Sequence, residues 1–533
     1  MIARAIAQAE SLSEEASFPL AAASAPKEKA AAISVETFGM TKRFGSFTAL
    51  EDVSIKVGAG TFHALLGENG AGKSTLVKCI MGFYRPTEGA VLVDGRELTI
   101  ANPRDAHQHG LGMVYQHFTL IPSLTAAENL VLSRSHVPAV IDWRKERKAL
   151  EAFLETMPFR IPLDRPVSQL AAGQKQKLEI LKQIYLKSRF LILDEPTSVL
   201  TPGEAEEVLG LLKAMTDRGE ITVFMISHKF REVMAFAEDV SVLRKGKLAG
   251  QGKVADLTRD DMAAMMIGSR EVAQVATRQG IVDTNVPVLQ IKALKAKDQT
   301  GTKAIMIDEL IVHSREIVGI AGVSGNGQKE LAEVLAGQRP AEAGDILVDR
   351  SLYSATRAET RKHQVRFIPE EPLKNACAPR MAVAENLAFR TFDVNGGEKP
   401  AFWLKLKAIR SNARMLIERF SVKTASMDSP IATLSGGNVQ RAVLARELTG
   451  DVDLLVVANP CFGLDFSAVA EIHSRIVAAR NGGAAVLLIS EDLDEILELS
   501  DRVLVMSEGR IAYETPGESA DIAVIGRHMA GHH

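Results

Sequence analysis

The sequence predicts an α/β fold that is built twice, as two tandem domains, each with a mostly parallel β-sheet, covering helices and an antiparallel β portion. Two observations lead to this prediction. Short apolar runs alternate with longer helical patterns, and the whole pattern occurs twice along the 533 residues. Continuous apolar runs of this length are typical of strands buried on both faces of a parallel sheet. The parallel-strand candidates include 62–66, 221–226, 484–489 and 503–506, and the antiparallel candidates are 33–38 and 47–57.

The repeat consists of four pairs of similar segments that occur in the same order. Residues 67–75 are echoed at 322–330, 169–176 at 433–440, 190–202 at 454–466, and 224–233 at 487–496. The offsets, between 255 and 264 residues, are far longer than the units of solenoid proteins. We therefore predict a first domain at 33–270, a linker at 271–285 and a second domain at 286–527. Residues 1–32 lack a continuous apolar segment, and we expect a disordered tail there rather than a signal peptide.

Composition excludes several classes of protein. With 46% apolar and 24% charged residues, the chain is neither globally disordered nor fibrous. Its 63 basic and 66 acidic residues give a net charge of −3, so there is no electrostatic sign of a nucleic-acid partner, and none is expected. Three widely spaced cysteines indicate no disulfide framework and favour a reducing compartment.

Residues 67–74 (GENGAGKS) match the phosphate-binding pattern G-x-x-x-x-G-K-[ST]. A strand candidate precedes them and a helix candidate follows, as this motif requires, and this context disfavours a plain glycine-rich turn. The loop's backbone N–H groups and the helix N-terminus would hold phosphate, Lys73 would reach the β and γ phosphates, and Ser74 would bind Mg²⁺. The residues expected to contact ATP are Gly67, Glu68, Asn69, Gly70, Ala71, Gly72, Lys73, Ser74 and Thr75.

Polar residues at the ends of three further apolar runs complete a candidate catalytic set. Asp194 and Glu195 follow 190–193; the first is suited to hold Mg²⁺ and the second to take a proton from the attacking water. His228 follows another apolar run, at the carboxyl end of a strand where α/β sheets bind ligands. Gln116 follows 112–115 and could bridge the metal and the water.

These motifs, with LAAGQ at 170–174 between the phosphate loop and LILDEP, resemble those of ABC-transporter ATPase subunits over about residues 33–527. The resemblance implies two P-loop NTPase domains, each with a helical subdomain, paired head to tail. Each ATP would then lie between one domain's phosphate loop and the other domain's signature. Phe44 occupies the place of the family's adenine-stacking aromatic residue. The signature acting in trans would comprise Ser435, Gly436, Gly437, Asn438 and Gln440.

The two copies are not equivalent. Copy two departs from the catalytic set of copy one at six positions. The replacements are Gln328 for Lys73, Lys329 for Ser74, Ala458 for Asp194, Asn459 for Glu195, Glu491 for His228 and Glu370 for Gln116. It keeps an intact LSGGN signature and Asp465. Copy one has Ala171 at the position of the signature residue Ser435, and Thr201 at the position of Asp465. Head-to-tail pairing therefore predicts one hydrolytic site and one degenerate site.

This asymmetric tandem arrangement resembles the fused ATPase subunits of bacterial sugar and nucleoside importers, and 112–132 looks closest to the nucleoside type. The resemblance implies an ATP- and Mg²⁺-dependent motor at the cytoplasmic face of the inner membrane. Its partners would be two integral-membrane permease subunits and an extracytoplasmic substrate-binding protein. One alternative stays open, a translation-associated tandem ABC ATPase without membrane spans. The complete catalytic set of copy one argues against a third class, a non-catalytic nucleotide-binding regulator.

Overall fold

The computed structural model describes residues 31–268, 276–297, 304–323, 325–393, 403–461, 464, 466–529 and 531. Most of the predicted N-terminal tail, the first third of the predicted linker, and Asp465 lie outside these ranges. Within them, every helix is too short or too polar to cross a lipid bilayer.

The first domain contains ten strands and eight helices among its described residues. The strands are β1 (Val35–Phe44), β2 (Phe47–Val57), β3 (Phe62–Gly67), β4 (Glu88–Val93), β5 (Arg96–Leu98), β6 (Leu111–Val114), β7 (Phe190–Asp194), β8 (Thr222–Ile226), β9 (Asp239–Arg244) and β10 (Lys247–Lys253). The helices are α1 (Lys73–Ile80), α2 (Pro103–Gln108), α3 (Ala126–Leu132), α4 (Trp143–Glu155), α5 (Ala172–Tyr185), α6 (Pro202–Asp217), α7 (Phe230–Phe236) and α8 (Arg259–Ile267).

The second domain repeats this order. Its strands are β11 (Asp283–Lys297), β12 (Ala304–Ser314), β13 (Ile317–Ala321), β14 (Ala343–Val348), β15 (Ser351–Leu352), β16 (Val365–Ile368), β17 (Leu454–Ala458), β18 (Ala485–Ser490), β19 (Arg502–Ser507) and β20 (Arg510–Pro516). Its helices are α9 (Gln328–Leu335), α10 (Arg357–Lys362), α11 (Pro372–Asn375), α12 (Val383–Leu387), α13 (Leu406–Arg419), α14 (Gly436–Glu447), α15 (Phe466–Asn481), α16 (Leu493–Leu499) and α17 (Ile522–Met529).

Each domain has two sheets with the same topology. An antiparallel sheet has the order β2-β1-β4-β5 in the first domain and β12-β11-β14-β15 in the second. A six-stranded sheet has the order β6-β7-β8-β3-β9-β10, matched by β16-β17-β18-β13-β19-β20, with only the last strand antiparallel. Helices α3 to α5, and α11 to α14, are inserted between the two strands at the edge of the large sheet. The predicted fold class is therefore confirmed.

The large sheet lies in the middle of each domain because both of its faces are apolar. In β3, Phe62, Ala64 and Leu66 pack into a cluster with the helices that follow β6. Leu65, which points the opposite way, packs with α1 and the antiparallel sheet. This arrangement places the carboxyl ends of β3, β7 and β8 side by side at one edge of the sheet, where the polar motif residues follow.

The described part of the linker, residues 276–285, lies along the second domain. Asn481 at the end of α15 accepts a hydrogen bond from the backbone of Gln279 (2.8 Å) and donates one to the carbonyl of Thr277 (3.0 Å). Arg480 donates to the Gln279 carbonyl at 2.6 Å. Strand β11 begins at Asp283, so regular structure starts two residues before the end of the predicted linker.

Candidate nucleotide site

The phosphate loop connects β3 to α1 and depends on glycine at two positions. Gly67 has a φ of 152°, and a Cβ there would lie 2.4 Å from the carbonyl oxygen of Leu243. Gly72, with a φ of 105°, would bring a Cβ within 2.9 Å of the Ala49 carbonyl oxygen. Any larger residue would force the loop away from β2 or β9, so the sequence motif is also a packing requirement.

Lys73 is buried beneath this loop and holds it closed. Its Nζ donates hydrogen bonds to the carbonyl oxygens of Gly67 (2.6 Å) and Glu68 (3.0 Å). Burial lowers the pKa of Lys73, although the negative charges of Glu195 and Asp194 oppose that change. The ammonium group is thus fixed at the base of the loop, near the two carboxylates that end β7.

Those two carboxylates have pKa values displaced in opposite directions. Burial, and then the negative charge of Glu195, raises the pKa of Asp194 to about 6. Burial would also raise the pKa of Glu195, but the hydrogen bond and charge of His228, followed by the charge of Lys73, outweigh it and lower that pKa. Neighbouring acids with different environments are suited to different roles.

Glu195 contacts both of the other predicted catalytic residues, His228 and Gln116. His228 Nδ1 lies 3.2 Å from one carboxylate oxygen, and Gln116 Nε2 donates to the other at 3.2 Å. Glu195 has a left-handed φ of 51°, and its N–H donates to the Ile226 carbonyl at 3.0 Å. This backbone geometry aims the carboxylate at the cleft between β7 and β8.

A pocket of about 260 Å³ lies at this edge of the sheet. Nine predicted residues line it: Asn69, Gly70, Gly72, Lys73, Ser74, Thr75, Gln116, Asp194 and Glu195. The hydroxyl of Ser74, the amide of Gln116 and the carboxylate of Asp194 therefore share one cavity. Oxygen donors of this kind fit a hard divalent cation such as Mg²⁺.

The aromatic wall of the pocket differs from the sequence expectation. Phe47, which is 65% exposed, lines the pocket. Phe44 instead packs edge-on against Tyr84, with ring centroids 5.3 Å apart, and Lys42 Nζ lies 5.0 Å from its ring. Sequence reasoning missed Phe47, although its pairing with Phe44 across a two-residue turn could have indicated it.

The equivalent loop of the second domain has a different chemistry. Its cavity, about 530 Å³, is lined by Gly325, Asn326 and Gly327 together with Glu330 and Glu508. At the lysine position, Gln328 donates to the Val323 carbonyl at 3.2 Å. Asn459 has the same left-handed backbone as Glu195, with a φ of 43°. The loop thus has the same fold in both domains. The described residues that line the second cavity include two carboxylates, whereas a phosphate site requires cations.

The signature residues lie at the start of α14. Ser435 makes no side-chain cap bond to this helix; its Oγ accepts a hydrogen bond from Asn438 Nδ2 at 2.8 Å. Gln440 donates to the Pro460 carbonyl at 2.9 Å. A Cβ on Gly437 would lie 3.6 Å from the side chain of Leu464.

Leu464 also contacts the first domain. Asn69 of the phosphate loop donates a hydrogen bond to the Leu464 carbonyl at 3.3 Å, across 395 residues of sequence. Nearby, Arg231 on α7 lies 3.7 Å from Asp494 on α16. Leu464 therefore connects the two sites. Its carbonyl contacts the phosphate loop of the first domain, and its side chain lies beside the signature glycine Gly437.

Comparisons with known proteins agree with this architecture. A sequence model described as "ABC transporter" matches residues 50–198 and 308–461. The chain is 39% identical to a glucose import ATP-binding protein of Haloferax volcanii, over 92% of this chain and 94% of that protein. It is 36% identical to a nucleoside import ATP-binding protein of Lactococcus lactis subsp. cremoris, over 93% and 98%.

Among solved structures, an archaeal ribosome recycling factor in complex with a ribosomal stalk protein matches with a TM-score of 0.58 and 19% identity. The match covers 88% of this chain and 87% of that one. At this identity the likeness extends to the fold, with two domains in tandem.

Proposed function

This chain belongs to the ABC transporter family and is an ATPase, and we propose that it is the motor subunit of an importer for nucleosides or simple sugars. Its relatives are named as ATP-binding proteins of glucose and nucleoside import, and they align over nearly their whole length. The partners would be two integral-membrane permease subunits and an extracytoplasmic binding protein, which place this subunit at the cytoplasmic face of the membrane.

In the proposed hydrolytic site, the phosphate loop and Lys73 bind the ATP phosphates, and Glu195 takes the proton of the attacking water. His228 holds the Glu195 carboxylate and keeps it ionised, which its hydrogen bond at 3.2 Å supports. Ser74, Gln116 and Asp194 would hold Mg²⁺, which neutralises phosphate charge when bound. Phe47 lines the aromatic side of the pocket, and Phe44, at the other end of the same turn, would stack on the adenine.

The observation that carries the proposal is the contact of Asn69 with Leu464. It supports a composite site in which the complete catalytic set of the first domain faces the intact signature of the second. Ser435, Gly436, Gly437, Asn438 and Gln440 would then complete the binding of the γ-phosphate. The reciprocal site would pair Ala171 with a loop that has Gln328 in place of lysine, and would be degenerate.

The test is to find which large assembly contains the chain. The tagged, full-length protein is purified from detergent-solubilised membranes of its own host, and the proteins that co-purify are identified. We expect two integral-membrane subunits in stoichiometric amounts and ATPase activity in the complex. Sedimentation with ribosomes, and no membrane partner, would support the translation-associated class instead.

A further inference from the structure

A largely buried cluster of three potential metal ligands lies in the second domain, and none of the three lines the pocket of the proposed ATP site. Cys461 follows β17, His473 is on α15, and Glu495 is on α16. One ligand atom of each lies within 4.8 Å of the others. His473 and Glu495 are only 3% and 5% exposed, so this is not a set of solvated surface groups.

The first domain shows what this position looks like without such ligands. Thr197 and Leu209 occupy the places of Cys461 and His473, and Glu232 that of Glu495. Thr197 Oγ1 donates to Glu232 at 2.5 Å, and Ser227 Oγ donates to its other oxygen at 3.2 Å. There a hydroxyl group donates a hydrogen bond to each oxygen of the buried carboxylate.

The charged residues around this position also differ between the two domains, and the second domain is the more negative. In the first domain, Lys229 Nζ lies 3.5 Å from Glu232 and provides a countercharge. The equivalent residue in the second domain is Asp492, and Glu498 stands where the first domain has Ala235. Four substitutions at one place therefore introduce a thiol, an imidazole and two carboxylates, and remove an ammonium group.

Polar contacts hold the imidazole and the carboxylate of the cluster in place. His473 Nε2 lies 2.9 Å from Glu495 Oε1, while Ser490 Oγ donates to Oε2 at 2.6 Å. On the far side of the imidazole, Glu498 lies 3.8 Å from Nδ1. At this distance Glu498 is a charged neighbour and not a hydrogen-bond acceptor, and it lies on the side of the ring where a metal-bound histidine commonly donates to a carboxylate.

We propose that Cys461 Sγ, His473 Nε2 and Glu495 Oε1 bind one borderline divalent cation of the zinc type. Sulfur, nitrogen and oxygen ligands together suit Zn²⁺ or Co²⁺ better than Mg²⁺ or Ca²⁺. Binding would form the sulfur–metal bond as the Cys461 thiol releases its proton to solvent. The proton shared by His473 Nε2 and Glu495 Oε1 would also leave to solvent, which frees both atoms to bind the cation. The cation would tie the chain at Cys461 to α15 and α16, three residues before Leu464.

The surroundings of Cys461 favour the thiol over the thiolate. Burial, and then the charge and hydrogen bond of Glu495, raises the pKa of Cys461 well above its ordinary value. A cation in contact with the sulfur reverses that preference, because the metal–thiolate bond replaces the S–H bond.

The experiment uses the full chain, stripped with a chelator and titrated with Zn²⁺ against a chromophoric competitor, and with Co²⁺ followed by absorbance. We expect one high-affinity equivalent per chain and a thiolate-to-cobalt charge-transfer band. Cys461→Thr and His473→Leu install the residues that the first domain carries. Loss of a residue that only contacts a metal ligand typically weakens metal binding about 10- to 100-fold. Each of these variants removes a ligand itself, so each should weaken Zn²⁺ binding by a larger factor. Cys461→Thr should also abolish the charge-transfer band.

Two further variants keep the test independent of folding. Glu498 is half-exposed, and Glu498→Gln should weaken binding about 10- to 100-fold. Cys377→Ser, which alters a thiol outside the cluster, should change neither affinity nor spectrum. The proposal is overturned if the wild type binds no stoichiometric Zn²⁺, if Cys461→Thr and His473→Leu bind as well as the wild type, or if the cobalt band persists in Cys461→Thr.

Discussion

At the scale of single residues, Asp194 and Glu195 illustrate how the sheet edge assigns roles to neighbouring groups. The pKa of Asp194 is raised to about 6, whereas that of Glu195 is lowered. The difference comes from His228, which contacts Glu195 and leaves Asp194 facing the pocket. At neutral pH Glu195 is therefore ionised and able to accept a proton, as a general base requires.

Replacing Glu195 by glutamine should keep ATP binding and stop turnover, because an amide cannot take a proton from water. General-base catalysis contributes about 100- to 10,000-fold, so steady-state phosphate release should fall by that factor while equilibrium ATP binding stays unchanged. Asn459→Gln, at the equivalent position of the second domain, is the control and should keep the rate. Turnover of Glu195→Gln near the wild-type rate would exclude Glu195 as the base.

His63 on β3 predicts a pH dependence of stability that is specific to the first domain. It is 4% exposed, and burial lowers its pKa to about 4. Between pH about 4 and 6.5 the unfolded chain therefore binds more protons than the folded one, and the free energy of unfolding falls as pH drops through this window. The loss is on the order of 3 kcal/mol, given about 1.4 kcal/mol for each pKa unit.

His63→Val tests this, since Val318 holds the equivalent position in the second domain. Urea unfolding at pH 7 and at pH 5 should show a smaller difference in the variant than in the wild type. The change with pH is the readout, because the variant also leaves Ser241 without its 2.9 Å partner at every pH. An unaltered pH difference would show that His63 does not bind the proton.

At the scale of elements, α5 and α14 begin alike but differ in one hydroxyl group. Ala171 precedes α5, and its N–H donates to Gln174 at 3.1 Å. Ser435 precedes α14, and its hydroxyl is not used to cap the helix. A capping serine stabilises a helix by about 1 kcal/mol. The Ser435 hydroxyl makes no capping bond to α14, so it is available to donate a hydrogen bond to a ligand.

Ser435→Ala should therefore slow hydrolysis with little effect on stability. A hydrogen bond to a charged group contributes about 1.5–3 kcal/mol, so the ATPase rate should fall roughly 10- to 150-fold if the bond forms mainly in the transition state. The matched variant Ala171→Ser should not raise the rate, because the loop it faces lacks the catalytic lysine. Both are assayed with the permeases. Normal activity of Ser435→Ala, or a large gain in Ala171→Ser, would contradict head-to-tail pairing.

Elements whose signals are local could be predicted from the sequence. The strand candidate 47–57 corresponds to β2 residue for residue, and the phosphate loop lies between a strand and a helix as its motif requires. The turn that pairs Phe47 with Phe44 is local, but Phe47 was missed because the pocket that it shares with the phosphate loop forms only after folding. The cluster of Cys461, His473 and Glu495 was missed for a related reason: its members are on three elements that meet only after folding.

At the scale of the whole molecule, the two domains share one topology and differ in the chemistry placed on it. Lys73 and Gln328 occupy the same buried position, 9% and 7% exposed, at the start of equivalent helices. Each bonds to a carbonyl of its own loop. The backbone geometry of Glu195 is likewise repeated at Asn459. Duplication has preserved the scaffold, so any functional asymmetry must come from these side chains.

This asymmetry gives a paired prediction. Lys73→Ala should lower the ATPase rate by about 100-fold or more, because a fixed cation at the transferring phosphate is lost. Gln328→Ala should hardly change the rate, since that position already lacks the charge. Steady-state ATPase of both variants in the permease complex is the measurement. Equal losses would show that the two sites contribute alike and would refute the single hydrolytic site.

The anchoring of residues 277 and 279 to Asn481 determines the kinetic order of assembly. Between the end of α8 at Ile267 and this anchor at Thr277, the chain can span at most about 35 Å. Each domain is therefore held near the other at an effective concentration on the order of millimolar. Meeting of the two halves is a first-order event within one molecule, so diluting the protein should not separate them, and their encounter needs no collision between subunits.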